Sequence, residues 1–261
     1  GGMENASCIF YEETTASFSQ TVESLLAHEI AHQWFGDMAS EKSFAHLWLS
    51  EGFATYLTHI YIESKYGTDS MDHELQNDRQ QVINFANRCN RPVVDSVSPL
   101  MNLLNANSYQ KGSWVLHMLR CESGDSIFHE IIRAYYEKYK GGNADTRDFE
   151  AVAKEVSKKS LNNFFDQWLY KPCIPDLKIT WQYLENEKKI SLTVEQEQKA
   201  EIFQFPLNIK IITSPDQAAV RKIEVSQKKQ TFVLPVSSKP VLVVADPFTA
   251  LLFEGEINEI K

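Results

Sequence analysis

This sequence lacks the material for several functions. Nowhere do apolar residues run for the roughly 20 positions that a membrane-crossing helix requires, and the first residues form neither the charged nor the apolar region of a signal peptide. Basic residues are in the minority, 26 Lys and Arg against 35 Asp and Glu, and they form no cluster. That argues against a nucleic-acid partner and mildly favours a cationic or amine-bearing one, drawn in by the net charge of -9. The four cysteines, Cys8, Cys89, Cys121 and Cys173, are far apart, with no C-x-x-C pair and no His at zinc-finger spacing. A structural cysteine-zinc site is therefore not expected, and buried free thiols are. With 10 Gly and 9 Pro among 261 residues, 43% of them hydrophobic, the chain has enough apolar material for one large domain or two smaller ones. It does not begin with Met, and it reads as a fragment or a processed form.

The residues that are present change character near Pro172 to Pro175. Before that point apolar residues recur at helical spacing, as in SIFHEIIRAYYEKY (126–139) and FEAVAKEV (149–156). After it come short β-branched runs, LKITWQYL and ISLTVEQ around the polar turn ENEKK, then FPLNIKIIT, VRKIEV, QTFVLP and KPVLVVAD at intervals of about ten residues, a pattern that suits a small antiparallel sandwich. The expected class is α+β, with a mainly helical domain over 1–172 followed by a β-sandwich over 173–261. No internal repeat or low-complexity tract is present.

The chemistry concentrates in HEIAH (28–32). On a helix His28 and His32 share one face with Cβ atoms about 5–6 Å apart, the spacing that two ligands of one zinc ion require. Glu29 projects about 100° round the same turn. Leu25, Leu26, Ala27, Ile30, Ala31, Trp34 and Phe35 make the segment apolar on most of its circumference, so a largely buried setting is expected, where the polar groups need a partner such as a divalent cation. Glu51, at the start of a second apolar helix in FAHLWLSEGFATYL, is the candidate third ligand. Two His and one Glu with an open fourth position is the arrangement of catalytic zinc.

GGMEN, HEIAHQWFGD, WLSEGFATY and SYQKGSWVLHML, in that order, resemble the zinc aminopeptidases of the gluzincin clan, the aminopeptidase N family that includes the leukotriene hydrolases. The likeness continues through FFDQWLYKPCIPDL into the β region. It implies a thermolysin-like catalytic domain holding one Zn2+ on His28, His32 and Glu51, with Glu29 as general base. The tyrosine of the family's Y-x-K-G motif falls on Tyr109, which would stabilise the oxyanion, while Lys111 reads as structural or solvated. The family's G-x-M-E-N strand falls on Gly2, Met3, Glu4 and Asn5, where Glu4 would bind the α-amino group of the substrate and Met3 would line the first pocket. The implied activity is release of N-terminal residues from peptides with a free N-terminus. A metalloendopeptidase, a non-catalytic scaffold of the same fold and a lipid-epoxide activity are the alternatives.

Three departures from the family pattern carry expectations. WLSEG stands where WLNEG is commoner, and Thr58 occupies a position where a glutamate often orients a zinc-bound imidazole, leaving Asp37 as a substitute. The resemblance also implies an N-terminal β domain and further strands ahead of GGMEN. Without them little sheet would hold that segment, so a poorly fixed Glu4 and low aminopeptidase activity are expected of this chain.

Overall fold

A computed structural model describes residues 1–16 and 20–260. The chain divides into two compact units, Gly1–Pro172 and Cys173–Lys261.

The first unit is mainly helical. After a short hairpin of β1 (Gly2–Met3) and β2 (Phe10–Tyr11) come α1 (Gln20–His32), a short strand β3 (Ala39–Glu41) and two 19-residue helices, α2 (Trp48–Tyr66) and α3 (Thr68–Ala86). A π-helical turn, Asn107–Lys111, leads into α4 (Gly112–Ser123), followed by α5 (Asp125–Tyr139), β4 (Gly142–Ala144) and α6 (Thr146–Ser157). The last of these starts on a reciprocal cap, in which Asp145 accepts from the Asp148 N–H and Asp148 accepts from the Asp145 N–H.

Helix α2 packs against α1, α3 and α4, and its first two turns are wholly buried. Trp48, Phe53, Tyr135 and Phe149 form the aromatic centre of this unit, with ring centroids 5.2–6.1 Å apart. Each such side chain contributes roughly 1.5–3 kcal/mol on burial. The N-terminal end of α2, which carries Glu51, is thereby anchored in the best-packed part of the unit. Gly52 of α2 lies directly against Gly112 of α4: a Cβ built on Gly52 would meet the Gly112 carbonyl carbon at 2.9 Å, and one on Gly112 would meet the Gly52 Cα at 3.1 Å. Any side chain at either position would push the two helices apart.

The buried setting expected of the HEIAH polar groups holds, with Glu29 5% and His32 1% exposed, although Leu26, Ile30 and Trp34 on the outward side of the segment are 38–49% exposed. One expectation is corrected here. The thiols are not buried as expected: Cys8 and Cys121 are exposed, and Cys89 and Cys173 are partly so.

The second unit is a sandwich of two sheets. One has the order β11-β5-β6-β9, built from β5 (Asp176–Leu184), β6 (Lys189–Gln196), β9 (Lys229–Pro235) and β11 (Glu254–Glu259). The other has the order β10-β7-β8, from β7 (Phe205–Ser214), β8 (Gln217–Val225) and β10 (Leu242–Ala245). Alternate residues are buried, Ile190, Leu192 and Val194 from the first sheet and Leu207, Ile209 and Ile211 from the second, as period-two patterning requires. The pairing is antiparallel except for β11, which runs parallel to β5.

Candidate active site

The HEIAH segment forms the last turns of α1, and its four-residue spacing turns both imidazoles toward the N-terminal end of α2. The Nε2 atoms of His28 and His32 are 3.1 Å apart, and each lies 3.3 Å from Oε2 of Glu51. Donors placed tetrahedrally about 2.0–2.1 Å from a zinc ion are themselves about 3.3–3.4 Å apart, so these three atoms fit one such ion. Burial pushes the Glu51 carboxyl up, but hydrogen bonds from His28, His32 and Tyr109 outweigh it and hold it at about 2. The carboxylate is thus ionised and ready to ligate. A second group, Glu4, Glu29 and His32, also has its ligand atoms within 4.8 Å of one another.

The ring of His32 is fixed from behind. Its Nδ1 is 3.1 Å from the Phe35 carbonyl and 3.0 Å from Oγ of Ser50. A carbonyl only accepts, so Nδ1 carries a hydrogen, the arrangement that would leave Nε2 to ligate once a metal displaces its proton. The substitute expected of Asp37 is not made: its carboxylate accepts instead from Nε2 of Gln33, at 2.8 Å. Thr58 bonds back to the Ala54 carbonyl at 2.9 Å. The serine of WLSEG, which stands where asparagine is commoner in the family, thus faces an imidazole of the cluster, and nothing in the motif itself signals that contact.

Glu29 is buried beside the His/Glu cluster, and burial raises its carboxyl above the ordinary range, with the imidazoles of His28 and His32 working against the rise and Glu4 and Glu51 adding to it. Gly2 passes so close that a methyl group there would overlap the Glu29 carboxylate. Any side chain at that position would force the Glu29 carboxylate to move.

Tyr109 belongs to the π-helical turn, and its hydroxyl donates to Oε1 of Glu51 at 2.7 Å, while its ring stacks on that of His28 with centroids 6.1 Å apart. Burial, reinforced by the Glu51 charge, raises the phenol above its ordinary value and keeps it protonated. The Gly52–Gly112 contact brings this turn to α2, and the Ser108 carbonyl lies 3.2 Å from where a Gly52 Cβ would be. Lys111 is fully buried, which corrects the solvated alternative for it.

The segment carrying Glu4 is better held than expected. β1 pairs with β2, Glu12 N–H donates to the Gly1 carbonyl at 3.0 Å, and Gln33 of the segment after α1 donates from Nε2 to the Glu4 carbonyl at 2.8 Å. Gln33 also accepts from the Ser7 N–H. Gly2, Met3 and Glu4 line a cavity of about 740 Å³ together with His28, Glu29, His32, Glu51 and Tyr109. Asn5 is exposed and is not among the lining residues; its carbonyl accepts from the Cys8 N–H. Two further lining groups went unnoticed in the sequence, Glu41 at the end of β3 and His59 on α2, whose Nε2 is 2.8 Å from the Asp78 carboxylate. Neither stands in a motif that singles it out.

Comparison with known proteins places these features in context. A family model described as the peptidase family M1 domain matches residues 1–168. The chain is 30% identical over 192 residues to aminopeptidase M1-C of Oryza sativa subsp. japonica, covering 69% of this chain and 22% of that protein. It is 29% identical over 251 residues to aminopeptidase N of Lactococcus lactis subsp. lactis, covering 88% of this chain and 29% of that protein. The crystal structure of Legionella pneumophila aminopeptidase A in complex with aspartic acid matches with a TM-score of 0.73 at 21% identity, over 90% of this chain and 27% of the other. At that identity the likeness is one of fold. The chain thus spans less than a third of the length of these relatives.

Proposed function

This chain belongs to peptidase family M1, and on that premise we propose that it carries the catalytic centre of a zinc-dependent aminopeptidase. The observation that carries the reading is the convergence of His28, His32 and Glu51 at tetrahedral donor spacing, with Glu4 and Glu29 on the wall of the same cavity. The chemistry that zinc supplies when bound is Lewis acidity toward a water and a carbonyl.

The chain's own residues have distinct roles. Glu29, with its carboxyl raised by burial, takes a proton from the attacking water and delivers it to the leaving amine. Tyr109 keeps its proton and donates a hydrogen bond to the oxygen on which negative charge develops; in the resting geometry that donor is engaged by Glu51. Glu4 pairs with the substrate ammonium. Ligand atoms of Glu4 and Glu29 lie within 4.8 Å of one another, which suits a substrate residue whose free α-amine meets the anchor while its carbonyl faces the base.

The test is hydrolysis of a leucyl peptide with a free or acetylated N-terminus by the zinc-loaded protein, with chelator and Glu29→Gln as controls. Cleavage of the free peptide alone, abolished by both controls, is expected. Equal cleavage of the acetylated peptide would make the protein an endopeptidase, and activity that survives both controls would end the metallopeptidase reading.

A further inference from the structure

The cavity is strongly acidic. Glu4, Glu29, Asp37, Glu41, Glu51 and Glu74 line it, and among the described residues no Lys or Arg does. In the reading given above, Glu51 serves the metal, Glu29 the proton transfer and Glu4 the α-ammonium, while Asp37 takes a hydrogen bond from Gln33. Glu74 lies 4.0 Å from His73.

Glu41 remains without a use. It ends β3, which pairs with β4, and is half-buried. The neighbouring cation does not serve it, because Lys42 is committed to Asp145 and Asp148. Among the described residues no basic side chain forms an ion pair with Glu41. Burial pushes its carboxyl up, its own backbone N–H and the His32 imidazole pull the other way, and the charges of Glu51 and Glu4 add to the rise. Half-buried in the cavity wall with no ion pair from the chain, the carboxylate is placed to receive a cation from a bound molecule.

Three residues further on, Phe44 lines the same cavity and is 53% exposed, and the buried Leu47 lines it too. A carboxylate in the same wall as a partly exposed phenyl ring and an aliphatic side chain suits a side chain with an apolar stem and a cationic head. We infer that Glu41, with Phe44, forms the subsite for a lysine or arginine side chain of the peptide at one of the two residues flanking the scissile bond. This rests on the peptidase reading and adds the substrate class to it.

The test measures binding rather than turnover. The zinc-loaded Glu29→Gln protein is titrated calorimetrically with Arg-Leu-Gly, Leu-Arg-Gly and Leu-Leu-Gly. One arginine peptide is expected to bind about tenfold more tightly than Leu-Leu-Gly, the scale of one charge-assisted hydrogen bond. Which of the two does so places the subsite on one side of the bond. Adding Glu41→Met, and separately Glu41→Gln, should abolish the preference by weakening the arginine peptide to the level of Leu-Leu-Gly or below, while retained zinc affinity reports intact folding. A preference that is absent, or that survives both substitutions, overturns the inference. Failure of all three peptides to bind overturns the peptidase reading as well, and is distinguished by the loss of Leu-Leu-Gly binding.

Discussion

Replacing Ser50 by alanine tests whether the centre is organised around a cation. Ser50 is 4% exposed in the first turn of α2, and its hydroxyl is one of two groups facing Nδ1 of His32, the other being the Phe35 carbonyl. The substitution deletes one acceptor and keeps the one that fixes the tautomer. Loss of an outer-shell partner generally weakens metal binding about ten- to a hundredfold. With the carbonyl still in place the lower end is expected, about tenfold or ~1.4 kcal/mol. The metal-free fold should lose only about 1 kcal/mol, the net value of one neutral hydrogen bond. Zinc affinity is read by competition with a chromophoric chelator at fixed pH, and urea unfolding of the metal-free protein gives the second figure. The two measurements separate a ligand-orienting role from a packing one. An unchanged zinc affinity alongside a destabilised fold would refute the reasoning, because it would mean that the hydroxyl supports α2 and not the imidazole.

Two other outcomes follow from contacts within the helical unit. In the proposed mechanism the Tyr109 hydroxyl serves the developing oxyanion, so Tyr109→Phe should lower kcat by about two to three orders of magnitude in steady-state assays of the zinc-loaded protein, with KM little changed; a kcat close to that of the wild type would show that it does not. Glu23 of α1 accepts hydrogen bonds from Lys65, Tyr61 and Tyr66 of α2, which hold its carboxyl at about 2. A carboxyl depressed by folding contributes stability above its ordinary range and loses it as pH falls through the folded value. The urea-midpoint gap between wild type and Glu23→Gln should therefore close between about pH 5 and about pH 2, and a gap that widens with acid would contradict the assignment.

The parts legible in the sequence were those in which one local pattern carries the information. The HEIAH spacing places two imidazoles on one helical face, and that holds in the structure at 3.1 Å between their Nε2 atoms. Period-two runs gave most of the sandwich strands, but β11 escaped notice because EGEINE is polar and alternates little, and is a strand only through its pairing with β5. The support of His32 was illegible for a related reason. Half of it comes from a main-chain carbonyl, and no residue type announces where its carbonyl will point. Glu41 illustrates the limit most plainly, since an acidic residue between a serine and a lysine reads as solvated surface until the fold turns it into a cavity and sends the lysine elsewhere. The grip on the Glu4 segment was missed because β2 is two residues long and Gln33 lies 29 positions away.

The contact between Gly52 and Gly112 has a consequence for how such a protein can change. The backbone of the turn that carries Tyr109 is held against the helix that carries Glu51 by main chain resting on main chain, so no side-chain replacement elsewhere in the cavity wall need move one relative to the other. Met3, Glu41 and Phe44, by contrast, sit on short strands and a connecting turn. On the proposed reading, substrate preference and reaction geometry are inherited from separate parts of the chain, and new preferences can be tried without renegotiating the chemistry.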